Sequence, residues 1–400
     1  MDQINEALTR AVENLYPNRD FIESALRDGK KLRVYTGIDP TGELHIGHMA
    51  VLRKLKQFQE MGHEVIVLIG DFTARIGDPT DKLAARKKLS KEEVENNAKN
   101  WKQLIGKILD TTHANLRFLH NEEWTNKLKP EDLLELASYF TVQQLLERDM
   151  FQKRLKEGKE IYLHEFLYPI FQAYDSDTMD VDMEIGGNDQ TFNMLAGRNL
   201  MKKVKNKEKM VISTKLLVDP QGKKMGKTEG NMVMLSDSPE DIFGKIMAFP
   251  DEFILVGYEL LTDKPQSEIE KLKADLDGHV NPKDAKSDLA YDVVKQLYSE
   301  QEAGRAKESF DKVHRQKEMP EKIEEVEVKA DEISLIDALI ESHLASSRSQ
   351  ALRLVEQGGV KVDGEKAVSA DKKISFDKPT VLQVGKLNFV KLVRGNSKSN

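Results

Sequence analysis

Residues 64–71, EVIVLIGD, are an almost unbroken apolar run closed by a glycine and an aspartate. A strand that is apolar on both faces must be covered on both sides, which is the situation of a parallel strand inside an α/β sheet. Upstream, LRVYTGID (32–39) reads as a second short strand running into a Gly/Asp/Pro loop. Between the two, Ile46, Met49, Leu52, Leu55 and Phe58 recur at helical spacing, and the helix should stop near Gly62. Strand, loop, helix, strand is a right-handed crossover, so the expected fold class is α/β with a doubly wound parallel sheet. Such sheets bind ligands at the carboxyl ends of their strands. That edge carries Tyr35, Gly37, Asp39, Asp71, Thr73 and Asp78.

Residues 81–160 are mostly helical and charged in pattern, with one possible strand at NLRFLHN (115–121), and read as an insertion before the sheet resumes. EFLYPIFQAYDS (165–176) is expected as a helix that sets Tyr168, Gln172 and Asp175 within one or two turns. VDMEIGGNDQTF (181–192) reads as a strand ending in a glycine pair and leading into a helix. STKLLVDPQGKKMGKTEGN (213–231) is a loop rich in glycine and lysine. From 236 to 328 the pattern is helical and polar. The acidic stretch EKIEEVEVKADE (321–332) separates this from a small α+β unit with two short helices, a stop at Gly358 and Gly359, and several short strands.

Four hundred residues exceed one compact core. Three domains are expected: 1–235, 236–328 and 333–394. No apolar run reaches the roughly 20 residues of a membrane helix, and MDQINEALTRAVENL reads as an acidic amphipathic helix rather than a secretion signal. The absence of cysteine removes disulfides, thiolate metal sites and cysteine nucleophiles, and fits a cytoplasmic protein. Charge is uneven. Residues 341–400 carry 11 Lys and Arg against 6 Asp and Glu, a net of +5, which leaves −12 for the first 340. A basic tail on an acidic body suits a polyanion such as RNA, with a solvated basic surface as the alternative.

Two motifs carry chemistry. In TGELHIGHM (41–49), His45 and His48 stand three residues apart at the start of the apolar helix. Too few companion ligands are present for zinc, and no nucleophile lies beside the pair. Phosphate contacts at a helix N-terminus remain, as does a plain helix start. Gly47 would let a flat ring lie against the backbone. In KKMGKT (223–228), Lys224 and Lys227 suit charge that develops on a departing pyrophosphate, with a solvated loop as the alternative.

HIGH at 45–48 and KMGKT at 224–228 resemble the two marker sequences of class I aminoacyl-tRNA synthetases. With YTGIDPTGELHIGH, GDFTARIGDP, YPIFQAYD and GGNDQ, the chain resembles the bacterial tyrosyl-tRNA synthetase family. SSRSQALRLVEQGGVKVDGE is similar to the S-four-type RNA-binding domain that ends those enzymes. The resemblance implies a Rossmann-type catalytic domain, a helical domain meeting the anticodon arm, and the RNA-binding tail with Arg348, Arg353 and Lys361. It implies that Tyr35 and Asp175 hold the substrate phenol, and that Thr73, Asp78, Tyr168, Gln172 and Gln190 surround its ammonium and carboxyl groups. Asn121 would border the pocket. Gly37, Asp39, Gly47, Gly187 and Asp189 would contact ATP or the adenylate. His45, His48, Lys224 and Lys227 would stabilise the phosphates, with Thr41 beside them.

A phenol is both donor and acceptor, so a site that reads it needs an acceptor such as Asp175 and a hydroxyl such as Tyr35. The implied reaction joins L-tyrosine to ATP and then to tRNA(Tyr), with Mg2+ carried mainly by the phosphates and a homodimer as the assembly. The sister enzyme for tryptophan and a synthetase-derived RNA-binding or splicing accessory are the alternatives. Two departures stand out: Gly226 and Thr228 in the second marker, and Asn188 where a serine or threonine cap is expected.

Overall fold

The computed structural model describes residues 2–77, 90–218, 232–276, 278, 280–312, 323–328, 332–367, 369, 372–375, 379–385 and 388–394. Met1–Ala303 and Gly304–Asn400 form two compact units.

The first unit is built on a six-stranded sheet of β1 (Val12–Tyr16), β2 (Arg33–Ile38), β3 (Glu64–Ile69), β4 (Leu116–His120), β5 (Met183–Gly187) and β6 (Met210–Thr214), in the order β1-β6-β5-β2-β3-β4. All neighbours are parallel except β1 and β6. From β2 the chain moves outward to β3 and β4, then returns to build β5 and β6 on the other side, so the order reverses between β2 and β5. Pairing there is confined to Val34 with Met183 and Tyr35 with Glu184, whereas β2 and β3 pair from Arg33–Glu64 to Ile38–Ile69. Beyond Tyr35 the two central strands part, and a cleft opens at the switch point. The helix Ile46–Glu60 follows β2 and packs on the sheet, and helices Leu163–Thr178 and Thr191–Lys205 pack on each other beside β5. Helices from Pro239 to Leu297 complete this unit, two of them opening on Pro after a capping Ser238 or Asn281.

Three local expectations are corrected. The N-terminal helix ends at Thr9, and residues 12–16 instead form the antiparallel edge strand β1. Ala11 takes a left-handed φ of 57°, and the buried Arg10 guanidinium donates to the carbonyls of Tyr258 (2.9 Å) and Thr262 (2.5 Å) at the end of helix Phe253–Leu261. Those helix-end carbonyls, which the helix's own N–H groups cannot reach, anchor the bend. Residues 115–121 are not part of an insertion alone: β4 closes the parallel sheet against β3. The acidic stretch is no linker either, because Glu324–Val328 forms β7 of the second unit.

That second unit contains a sheet in the order β10-β9-β12-β13-β7, with β9 (Val360–Val362), β10 (Glu365–Lys366), β12 (Thr380–Val384) and β13 (Asn388–Arg394), plus a separate antiparallel pair of β8 (Glu332–Ser334) and β11 (Lys373–Ser375). Parallel β7 places Val326 and Val328 toward the core, while Glu325 pairs with Lys391 at 2.8 Å. Helices Leu335–Glu341 and Arg348–Glu356 start on Ser334 and Ser347 and cover a core that includes Leu335, Leu339, Val360 and Leu382. Gly358, at a φ of 69°, ends the second helix as expected.

Candidate active site

The histidine pair starts helix Ile46–Glu60 by capping itself. His45 Nδ1 accepts from the Gly47 N–H at 3.1 Å, and the His45 N–H donates to His48 Nδ1 at 3.1 Å. Two imidazoles thus do what Ser and Glu do in a capping box, with ring centroids 3.9 Å apart. With both Nδ1 atoms acting as acceptors, a proton on either ring is carried by Nε2. A Cβ on residue 47 would lie 2.9 Å from His45 Cε1. Glycine is therefore required because the flat ring lying on the backbone is His45's own.

The cleft has a volume of about 470 Å³ and is lined from both central strands, the helix start and helix Leu163–Thr178. On its inner side Asp39 accepts from Thr73 Oγ1 at 2.6 Å and from the Tyr168 hydroxyl at 2.8 Å. A Cβ on residue 70 would fall 2.0 Å from Asp39 Oδ1, so Gly70 is what lets these groups meet. Asn121 Nδ2 donates to Thr73 Oγ1 (3.0 Å) and to Asp175 Oδ2 (3.1 Å), and Trp124 Nε1 donates to Asp175 Oδ1 (2.7 Å). Complete burial pushes the Asp175 carboxyl up to about 8, against the pull of those two donors. Burial and the nearby Glu184 likewise hold the Tyr35 phenol well above its ordinary value.

Tyr35 is fully buried, and its hydroxyl lies 2.7 Å from Ser176 Oγ. Behind it Lys209 and Glu184 form a buried ion pair, and Gln172 Nε2 donates to Glu184 Oε1 at 2.9 Å. Burial pulls the Lys209 ammonium below its ordinary range, and Glu184 opposes that.

Of the residues singled out from sequence, Tyr35, Gly37, Asp39, Thr41, His45, Gly47, His48, Thr73, Asn121, Tyr168, Gln172, Asp175, Gly187, Asp189 and Gln190 all line this one cleft. Asp78, Lys224 and Lys227 lie outside the described residues, as do Gly226 and Thr228. The chain on either side of the lysine stretch is described and sits on the rim. Lys215–Leu217 and Met232 line the cleft, Val233 accepts from the Ile46 N–H at 2.9 Å, and Leu235 N–H donates to Leu44 at 2.8 Å. Asn188 is not a helix cap. Its Oδ1 accepts from Asn14 (3.0 Å), Thr191 (3.1 Å) and Ser213 (3.2 Å), tying β1 and β6 to the turn after β5. In the second unit Arg348 and Arg353 are exposed on one helix, Arg348 pairing with Asp337 at 2.9 Å, and Lys361 is half-buried on β9. Sequence reading missed Gly70, Trp124, Ser176, Glu184 and Lys209. The available signal was a charged residue inside one apolar strand run, MEIGG, and another immediately before a second, MVIST. Among the described residues no group of three or more His, Cys, Asp or Glu side chains is placed to hold a metal.

The family model described as tRNA synthetases class I (W and Y) matches residues 27–315, and that described as Tyrosine--tRNA ligase SYY-like C-terminal domain matches 315–392. A Tyrosine--tRNA ligase of Thermotoga maritima is 42% identical over 394 residues, covering 98% of this chain and 97% of that one. One of Carboxydothermus hydrogenoformans is 42% identical over 400 residues, covering 97% of each. In fold, a C-terminally truncated mitochondrial tyrosyl-tRNA synthetase of Aspergillus nidulans is similar with a TM-score of 0.65 at 23% identity, over 80% of this chain and 95% of that one. With the cleft at the switch point, the self-capped HIGH helix and matches over nearly the whole length, the chain belongs to the tyrosine–tRNA ligase family of class I aminoacyl-tRNA synthetases.

Proposed function

We propose that the cleft holds L-tyrosine at its inner end and ATP along the start of helix Ile46–Glu60, forming tyrosyl-adenylate and passing the tyrosyl group to the 3′ end of tRNA(Tyr). Asp175 carries this reading: a buried carboxyl fixed by Asn121 and Trp124, close to the equally buried Tyr35. A phenol donates to Asp175 and accepts from Tyr35, and phenylalanine takes up neither bond while still excluding water from both groups, at a cost of about 1–3 kcal/mol per group. Full-length relatives named as tyrosine ligases disfavour the tryptophan alternative.

Thr73, Tyr168 and Gln172 would take the ammonium and carboxyl groups, oriented by Asp39 and Glu184, with Asp78 and Gln190 assigned beside them by resemblance. Gly37, Gly187 and Asp189 would face the adenylate. The substrate carboxylate is already ionised, so attack on the α-phosphate needs no protein base, and catalysis rests on positioning and charge stabilisation. His45 and His48 would offer Nε2–H to the phosphates at a helix N-terminus, beside Thr41 and Gly47. The rim position of residues 215–217 and 232 supports Lys224 and Lys227 acting on the same phosphates. With no described side-chain cluster to cage it, Mg2+ would arrive on the phosphates as part of the substrate.

Residues 1–235 would be the catalytic part, the helices from 236 would meet the anticodon arm, and the C-terminal unit, with Arg348, Arg353 and Lys361, would bind tRNA as an S-four-type domain. A homodimer is the assembly the family resemblance implies, and Leu134, Val142 and Leu163, 73%, 63% and 79% exposed, are apolar side chains such an interface would cover. The cytoplasm is where these substrates meet, and among the described residues no helix is long and apolar enough to cross a membrane. ATP–pyrophosphate exchange measured across all twenty amino acids tests the reading. Tyrosine alone should drive it, and equal exchange with phenylalanine or tryptophan would contradict it.

A further inference from the structure

Directly behind the phenol-reading end sits an ion pair without access to solvent: Lys209 is 0% exposed and Glu184 2%. Taking two charges out of water is costly, so such a pair is weak evidence for stability and calls for another reason. Its surroundings supply one. Lys209 Nζ donates to Ser176 Oγ at 2.9 Å, and Ser176 Oγ lies 2.7 Å from the Tyr35 hydroxyl and 3.4 Å from the Gln172 carbonyl. Gly197 makes the space, since a Cβ there would fall 2.6 Å from Lys209 Nζ and 2.7 Å from Ser176 Oγ.

An ammonium can only donate, so Ser176 Oγ accepts from Lys209 and must aim its own proton elsewhere. Of its two acceptors, the one at 2.7 Å is far better placed than the one at 3.4 Å, which turns the serine proton onto Tyr35. Tyr35 then accepts, and its proton points onward. Glu184, paired with Tyr35 across β2 and β5, is the competing acceptor for that proton; Lys209 and Gln172 each hold one of its oxygens, and a substrate phenol draws the Tyr35 proton away from it.

On the placement of a substrate phenol between Tyr35 and Asp175, we propose that Lys209, Glu184 and Ser176 are positioning residues for amino-acid selection. They set a one-way chain of donors: Lys209 N–H to Ser176, Ser176 O–H to Tyr35, Tyr35 O–H to the substrate phenol, and the phenol O–H to a carboxyl oxygen of Asp175. Phenylalanine interrupts the chain at its last two links. The ion pair thus acts on selectivity from behind the pocket, touching no substrate.

Exchange kinetics of the full chain with tyrosine and with phenylalanine test this. Ser176→Ala should raise KM for tyrosine about tenfold and leave KM for ATP and the phenylalanine kinetics unchanged. Lys209→Met should give the same tyrosine-specific loss, and adding Glu184→Gln should return part of it by removing the charged competitor for the Tyr35 proton. Ser176→Ala leaves the ion pair intact and carries the decision if Lys209→Met does not fold. Equal losses for both amino acids would reduce the cluster to packing and overturn the chain. Tyr35→Phe separates the two claims. If it lowers the tyrosine-to-phenylalanine ratio while Ser176→Ala does not, the relay is wrong and the phenol site stands. If it leaves the ratio unchanged, the phenol placement itself falls.

Discussion

At the inner end of the cleft the polar side chains are buried and already committed: Tyr35 to Ser176, Asp175 to Asn121 and Trp124, Thr73 to Asp39. At the outer end the groups facing a ligand are half-buried imidazoles, glycines and the N–H groups of a helix start. The difference follows from what each end must do. Telling a phenol from a phenyl ring requires fixed partners that suffer when left unpaired. Stabilising charge on a departing pyrophosphate requires donors that meet an anion present only during the reaction. On the proposed function, one end would select before chemistry and the other would act during it.

Substitutions at the two ends should therefore separate in kinetics. The largest effect is expected from Asp175→Ala, which strands Asn121, Trp124 and the substrate phenol together. A fall of about 10²–10³-fold in kcat/KM for tyrosine, carried mainly by KM, is expected in exchange assays. His45→Ala should lower kcat about 10²-fold with little change in KM for tyrosine. If either substitution moved the other parameter instead, the division of labour would be wrong.

Removing residues 313–400 sharpens the comparison from outside, because both ends of the cleft belong to Met1–Ala303. Adenylate formation should persist, while tRNA charging should fall about tenfold or more and lose part of its salt dependence. A collapse of adenylate formation would place the C-terminal unit inside the catalytic fold.

The strands and helix that frame the cleft were legible because their signals are strong: β3 is apolar throughout, and Ile46 to Phe58 keep a helical period. β1 and β7 were not. VENLY is half-exposed along its length and continues a helical pattern, so only its pairing with β6 makes it a strand. EEVEV alternates acid and valine, and its glutamates hid a period of two that parallel β13 reveals. The site residues that carried a family motif were found, whereas Glu184 and Lys209 meet only through the register of β5 and β6 with helix Leu163–Thr178. Nothing local in the sequence announces such a pairing.

Asp175 also gives the inner end a pH signature. Its carboxyl rises from an ordinary 3.8 to about 8 on folding, so the folded state holds that proton more tightly than the unfolded one. Below about 4 both states are protonated and no penalty exists; between about 4 and about 8 the unfolded chain gives up the proton that the folded state keeps, so stability falls progressively as pH rises. Chemical denaturation at pH 5 and pH 8 should show wild type losing ground to Asp175→Asn between the two. A constant difference would contradict the burial argument. The smallest expected effect belongs to the outer end: His45→Ala should cost about 1 kcal/mol through the lost cap. His45→Asp, which accepts from the Gly47 N–H but cannot donate to phosphate, should recover that stability without recovering kcat.

The central claim is that the inner end reads a phenol with Tyr35 and Asp175 before any chemistry occurs. Calorimetric titration of the full chain with tyrosine and with phenylalanine, without ATP, addresses it directly. The account predicts saturable tyrosine binding and no measurable phenylalanine binding over the same concentrations. Comparable affinities for the two would contradict it.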